Sequence, residues 1–477
     1  MQSRKDQVQA YFFVVGRLAA AVVHGRPDAL QPPNRRLTSG TVLGLLLGGI
    51  MAAIFGIVGI FVPGGDTSWR QSGSIVMDKD SGARYVYLDN QLRPVLNYSS
   101  ARLAGGKSST GQVISVAQKS LAGAPVGQPI GIPGAPDGIP AAGSLSTGTW
   151  TVCVQPPDGG QQGSPVVTLL LGQPGGQQLA ANQAFLVSAP DGGKFLVWQG
   201  KRYRITKRSA LESLGYAASP PVLVTSGWLN SVPQGPDLQA PPTPGVGQPG
   251  PMINGRTTLA GQIYQVRNTA IGSDQLYLVR QDGVVPVTPT AAALVLAAPE
   301  TAKAYPGLPV EPIAVGPTAM TGLPQTSPSG QFGDGLPPQP PTIANPSVDS
   351  VPCMDFTADQ NGAERVSGAL RPAAEVEARA MPVASHVAGA TADRIAVSAG
   401  GGALVQQQPT AASPPGAAFL ITETGMKYPL ANPDVVSALG YGGTAAQRVP
   451  PELLALVPAG PLLSIDAAVS PAGGAAQ

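Results

Sequence analysis

Few residues in this chain carry side chains suited to chemistry, and the most suggestive of them stand together in ARLAGGKSST, residues 101–110. A phosphate-binding loop, G-x-x-x-x-G-K-[ST], sets a glycine five residues before Gly-Lys, so that backbone N–H groups cradle phosphates while the lysine reaches them. Gly106, Lys107 and Ser108 fit that pattern, and Ala101 stands where the first glycine would be. The chemistry in question would be ATP binding. Little else is available: two histidines and two cysteines in 477 residues, with no H-E-x-x-H, G-x-S-x-G or C-x-x-C, give no metal site, no histidine-based catalysis and no catalytic residue to name.

A phosphate loop must follow a strand and open a helix, yet Ser108 is followed by Ser109, Thr110 and Gly111, poor helix starters as a group. Internal repeats account for the stretch better. KFLVWQGKRYRITKRSALESLGY (Lys194–Tyr216) and AFLITETGMKYPLANPDVVSALGY (Ala418–Tyr441) share an apolar burst, a glycine turn, Tyr203 or Tyr428, and a later Leu-Gly-Tyr. ARYVYLDNQLRPVLNYSSARLAGG (Ala83–Gly106) follows the same plan, and QLYLVRQDGVVPVTPTAAALVLA (Gln275–Ala297) is a weaker copy. Each unit reads as a β-hairpin followed by a short helix ending near glycine. On that reading Gly105 and Gly106 terminate a helix.

LNSVPQGPDL (Leu229–Leu238) and LALVPAGPLL (Leu454–Leu463) follow two of the helices, and AYPGLPVEPI (Ala304–Ile313) is a looser echo. Proline fixes φ and removes a donor, so these segments are expected to run extended and close each unit off. Gln239–Pro251 and Leu323–Pro346, rich in proline and glycine, read as semi-rigid linkers.

Compartment follows from the first seventy residues. Thr41–Val62 is an uncharged apolar run that would span about 33 Å as a helix, enough to cross a bilayer. It is longer and later than a signal-peptide core, which predicts a retained anchor. Arg4, Lys5, Arg17, Arg26, Arg35 and Arg36 precede it, against Arg70 and Lys79 just after. The positive-inside rule then puts the N-terminus in the cytoplasm and the bulk of the chain outside the inner membrane. A net charge of +2, with 12% of residues charged, gives no electrostatic footprint for nucleic acid. Cys153 and Cys353 both fall on the exported side, where disulfides persist. Bridged, they would close a long loop; the alternative is two free buried thiols.

Gln7–Val23 places Val8, Phe12, Val15, Leu18, Ala19 and Val22 three or four apart, an apolar stripe along a helix. About forty residues cannot build a core to receive it, so the stripe must dock on a partner subunit or on the inner leaflet.

The ordered combination resembles the EccB family, the membrane-anchored subunit of the actinobacterial type VII (ESX) secretion apparatus. SRKDQVQAYFFVVGRLAAAV (Ser3–Val22), Arg35-Arg36, DSGARYVYLDNQLRPVLNYSSARL (Asp80–Leu103), GIPGAPDGIP (Gly131–Pro140), WTVC (Trp150–Cys153) and VPAGPLL carry the likeness. The resemblance implies a mixed α/β (α+β), β-rich fold. A single transmembrane helix precedes four degenerate hairpin/helix repeats around a central β core stapled by Cys153 and Cys353. It also implies a structural subunit working with the motor EccC, with EccD and EccE, and near the mycosin protease. No cofactor is expected from the residues; ATP is the alternative, since ATPase activity is attributed to the family. A further alternative, an envelope glycan binder, would use Trp198, Tyr203, Trp228, Tyr428 and Tyr441, residues better read as core. The expected organisation is a cytoplasmic helix over 1–40, the anchor over 41–63 and repeat one over 64–120. The core's first part takes 121–180, repeat two 181–240, repeat three 252–320, the linker and second core part 321–395, repeat four 396–468 and a tail 469–477. Recurring surfaces suit self-association of the exported part.

Overall fold

The computed structural model describes residues 4–25, 34–61, 66–106, 111–157, 163–173, 175–268, 273–325, 335–358, 364–383 and 385–472. The chain divides into two units, one of Met1–Arg70, Met77–Gly82 and Ile114–Ala124, the other of Gln71–Val76, Ala83–Val113 and Pro125–Gln477.

In the first unit Arg4–His24 and Asn34–Phe61 are α-helices. The second begins earlier than the apolar run alone suggested, because Asn34 to Gly40 contains no helix breaker before its final glycine. Its stretch Ser39–Ile57 has a mean hydropathy of 2.1 and none of it is buried. Nineteen such residues left in water would be strongly unfavourable, and a bilayer supplies the apolar surroundings they lack. Residues 62–65, at the far end of the expected span, lie outside the described residues.

The second unit is β-rich and mixed α/β. Its copies of the repeat hold more than a hairpin and a helix. Copy two has strands Gln183–Ser188, Lys194–Trp198, Lys201–Ile205 and Val222–Leu223. Copy three has Ile263–Asn268, Ser273–Arg280, Gly283–Val287 and Ile313–Val315. Copy four has Gly402–Gln407, Ala418–Thr422, Lys427–Leu430 and Gln447–Val449. In each the spatial order is third, second, first, fourth, and the fourth strand runs parallel to the first. A parallel neighbour requires a crossover, which the helices Arg208–Ser213, Pro289–Leu296 and Pro433–Ala438 supply. Copy one shows the hairpin Arg84–Leu88 with Gln91–Pro94 and the helix Tyr98–Gly105. Its two-residue turn holds Asp89 and Asn90 at φ 49° and 60°, the left-handed geometry that tight hairpins need and that Asp and Asn tolerate.

Proline-containing segments close all four copies, running beside the third strand, in copies two and four at the expected residues. Arg202 N–H donates to Pro233 O and Lys427 N–H to Pro458 O, with Leu92 donating to Pro125 and Val284 to Pro324 in the same way. The glycine of V-P-x-G-P has a steric cause. A Cβ on Gly235 would lie 2.7 Å from the Tyr203 ring, and one on Gly460 2.4 Å from the Tyr428 ring. In copy three the closing segment is Leu323–Gln325, and Ala304–Ile313 instead leads into the fourth strand. The stretch taken as a linker over Leu323–Pro346 therefore starts inside a repeat, and its far end also packs. Thr342–Ile343 pairs with Gln183–Ala184, and Tyr216 donates its hydroxyl to Pro341 O. Pro249, in the other supposed linker, opens a strand paired with Arg256–Leu259.

A seven-stranded sheet packs with copies two and four through one shared core. Its middle strands, Val166–Leu171, Trp150–Gln155, Ser350–Ala358 and Glu364–Pro372, pair antiparallel. Cys153 faces Cys353 directly across two of them, and the two are joined as a disulfide. Period-two alternation then assigns the faces. Trp150, Val152, Val154, Leu169, Met354 and Phe356 join the largest core, shared with Phe185 and Val197 of copy two and Val405 and Ile421 of copy four. The opposite face carries Thr151, the disulfide, Asp355 and Arg371, roofed by Val376 of the helix Ala373–Arg379.

Candidate functional site

The stretch suspected of holding phosphate begins within a helix. Asn97 caps Tyr98–Gly105, its side chain accepting from Ser100 N–H. Ala101 is fully buried, packed with Ile75 and Val86, and its N–H bonds the Asn97 carbonyl. Gly106 stands at the C-terminal end at φ 55°, donating to Leu103 O, a positive-φ exit that glycine tolerates without a Cβ clash. N–H groups a phosphate would need at the start of the motif are thus engaged in the helix. Lys107 and Ser108 lie outside the described residues.

What the fold does organise is pairs of repeat helices. Leu103 and Ala104 of copy one share a core with Val435, Ala438 and Leu439 of copy four. Arg102 donates through Nε (3.2 Å) and Nη2 (3.1 Å) to Ala438 O, placing a cation on the last carbonyls of the copy four helix. Copies two and three meet likewise through Leu211, Leu214 and Leu294. The Leu-Gly-Tyr tyrosines pin distant chain to these pairs. Tyr441 donates to Pro140 O at 2.7 Å and Tyr216 to Pro341 O at 2.9 Å. Burial pushes both phenols well above their ordinary pKa, so they remain neutral donors. Sequence reasoning saw the tyrosines recur but had no signal for their acceptors, which lie 301 and 125 residues away.

The aromatic set considered for glycan stacking is largely interior: Trp228, Tyr203, Tyr428 and Tyr441 are buried. Trp228 Nε1 donates to Val152 O, and Trp198, half-buried, donates to Ala181 O. No group of three or more His, Cys, Asp or Glu arranged to hold a metal occurs among the described residues.

In the other unit, the helix Arg4–His24 presents Val8, Phe12, Val15, Leu18 and Val22 to solvent, Phe12 at 68% and Val22 at 81% exposure. Its sheltered positions are the small ones, Gly16, Ala19, Ala20 and Ala21. The apolar stripe therefore runs over an uncovered face, continued by Tyr11, Phe13 and Val14.

Comparison with known proteins agrees with this architecture along the whole chain. The ESX-3 secretion system ATPase EccB3 of Mycolicibacterium smegmatis is 30% identical over 496 residues, covering 96% of this chain and 89% of that protein. The ESX-2 secretion system ATPase EccB2 of Mycobacterium tuberculosis is 28% identical, covering 98% and 94%. A chain of an intact ESX-5 inner membrane complex shares the fold at TM-score 0.69 and 24% identity, covering 100% and 97%. The EccB3 dimer of an ESX-3 core complex matches at TM-score 0.67 and 28% identity, covering 83% of this chain and 100% of that one. The family model described as type VII secretion system ESX-1, transport TM domain B matches residues 1–476, and so the chain belongs to the EccB family of type VII secretion.

Proposed function

We propose that the chain is a structural subunit of a type VII secretion complex in the inner membrane, crossing once with its N-terminus in the cytoplasm and the repeats and disulfide core in the periplasm. The observation that carries this is an uncovered apolar helix joined in sequence to a membrane-length one. A stripe that nothing among the described residues covers suits docking onto another subunit, such as the motor EccC or its neighbours EccD and EccE, with the mycosin protease near the exported part. The exported copies, which recur as similar surfaces, pair with those of other protomers; a relative is known as a dimer.

Phe12→Asp with Val15→Asp tests the docking. Losing two buried apolar side chains, at roughly 1.5–3 kcal/mol each, should weaken partner recovery well over tenfold. Insertion and disulfide formation should be unchanged. Co-purification at the parent level would reduce this helix to a membrane-surface element.

Relatives are called ATPases, which favours ATP as a second reading. Against it stand the helical state of Tyr98–Gly105 and the proposed topology, which would leave Lys107 on the side of the membrane away from cytoplasmic ATP. Phosphate release by the purified chain is expected to be the same with Lys107→Ala as with the parent. A drop in turnover confined to that substitution, with folding intact, would establish the stretch as a nucleotide site.

A further inference from the structure

Copy two departs from the other copies in one respect, its charge. Residues 191–212 hold six basic residues, Lys194, Lys201, Arg202, Arg204, Lys207 and Arg208, against Asp191 and Glu212, in a chain that balances 29 basic with 27 acidic residues. The other copies serve as an internal control. The carbonyls of Pro94, Arg204 and Pro429 accept equivalent bonds from the closing segments, from Ile130, Leu238 and Leu463. In copy three Pro286 lies at the corresponding place, two residues beyond Val284. Arginine thus occupies in copy two a position that is proline in the other three. At the helix start, Asn97, Thr288 and Asn432 cap through their side chains, whereas copy two has Lys207, which makes no capping bond. A stabilising cap is absent and a charge stands in its place.

Not every cation here is surplus. Arg202 donates to Leu229 O, as Lys427 of copy four donates to Leu454 O, so this pair is part of the shared scaffold. Four of the other five, Lys194, Arg204, Lys207 and Arg208, line an open groove of about 480 Å³ together with Asp191. Arg204, Lys207 and Arg208 are exposed. Lys194, Arg204 and Lys207 have no carboxylate partner among the described residues. Asp191 accepts from Gly193 N–H, and Glu212 is held by Arg208 at 2.9 Å on the open surface. Like charges gathered without counterions repel one another unless an anion joins them. A guanidinium fork flanked by ammonium groups matches the several oxygens of a phosphate better than a single carboxylate.

We propose that the groove of copy two, formed by Lys194, Arg204, Lys207 and Arg208, binds a phosphate-bearing anion. This goes beyond the secretion-subunit reading and does not depend on it. The test restores the pattern of the other copies with Arg204→Pro and Lys207→Asn in the full chain in neutral detergent, titrated with tripolyphosphate. Affinity should fall about tenfold or more, while the melting temperature holds or rises because a cap has been supplied. Arg204→Gln with Lys207→Gln, which leaves the backbone chemistry alone, should show the same loss. Competition by micelles doped with phosphatidylglycerol, and not by those doped with phosphatidylcholine, would assign the phosphate to a lipid headgroup. Competition by a soluble glycerol-phosphate polymer alone would assign it to a polymer. Equal tripolyphosphate affinity in parent and folded glutamine variant would overturn the proposal. So would poly-glutamate binding as tightly with the same dependence, which would make the groove a dock for acidic peptide.

Discussion

A chain with Cys153→Ala and Cys353→Ala should unfold at markedly lower denaturant concentration than the oxidised parent. The bridge spans 200 residues, and closing a loop of that length removes unfolded-state entropy worth up to about 5 kcal/mol. The two cysteines come from strands on either side of the long insertion that contains copies two and three. Their link therefore constrains the two halves of the central sheet even when the insertion is unfolded. Denaturant unfolding of parent, reduced parent and double variant separates the crosslink from the lost sulfur atoms. The oxidised parent should also run faster on a non-reducing gel than after reduction. Identical midpoints for oxidised and reduced parent would show that the pairing of Trp150–Gln155 with Ser350–Ala358 suffices alone.

Next to the disulfide, Asp355→Ala should destabilise by about 3–5 kcal/mol, since it strands a buried guanidinium. Arg371 and Asp355 have side chains only 3% and 7% exposed, 3.3 Å apart. Thr151 Oγ1 and Gln178 Nε2 donate to the same carboxylate, and Arg371 also reaches Thr151 and Gln173 O. Asp355→Leu with Arg371→Met should recover most of the loss, because an apolar pair of similar size leaves no charge to solvate. Thermal unfolding of single and double variants checks this. If the double variant is no more stable than Asp355→Ala, the cost lies in packing under the helix Ala373–Arg379 instead of in the charge.

The hairpins were legible because local rules write them. Lys201–Ile205 follows a two-residue turn at Gln199 and Gly200, both at positive φ, and the glycine there signals the turn. The first strand of copy two, Gln183–Ser188, is buried almost throughout, so it lacks the polar alternation that marks a strand. The fourth, Val222–Leu223, is two residues long, too short for any period. Both are strands because a neighbour already in place offers its hydrogen bonds.

The candidate site divides in the same manner. That Ala101–Ser108 resembles a phosphate loop was visible in the residue string, and so were the helix-forming context and terminal glycines that argue against one. That Arg204 replaces a proline emerged only when the closing segments fixed which residues of the four copies correspond.

By itself the sequence determined the anchor, the two cysteines available for pairing, the recurring hairpin-helix unit and the family likeness. The anchor and the recurring unit depend on composition or spacing within a few tens of residues, where side-chain chemistry and backbone geometry act directly, and the likeness rests on several such stretches occurring in order. Only the tertiary structure decided that Cys153 stands opposite Cys353, that Asp355 is buried against Arg371, and that Tyr441 finds the carbonyl of Pro140. It also decided which repeat helices pair, as Arg102 meeting Ala438 across 336 residues makes plain. Such contacts join segments far apart in the chain, and their free energy appears only once closing the intervening loops has been compensated by burial shared across the whole sheet.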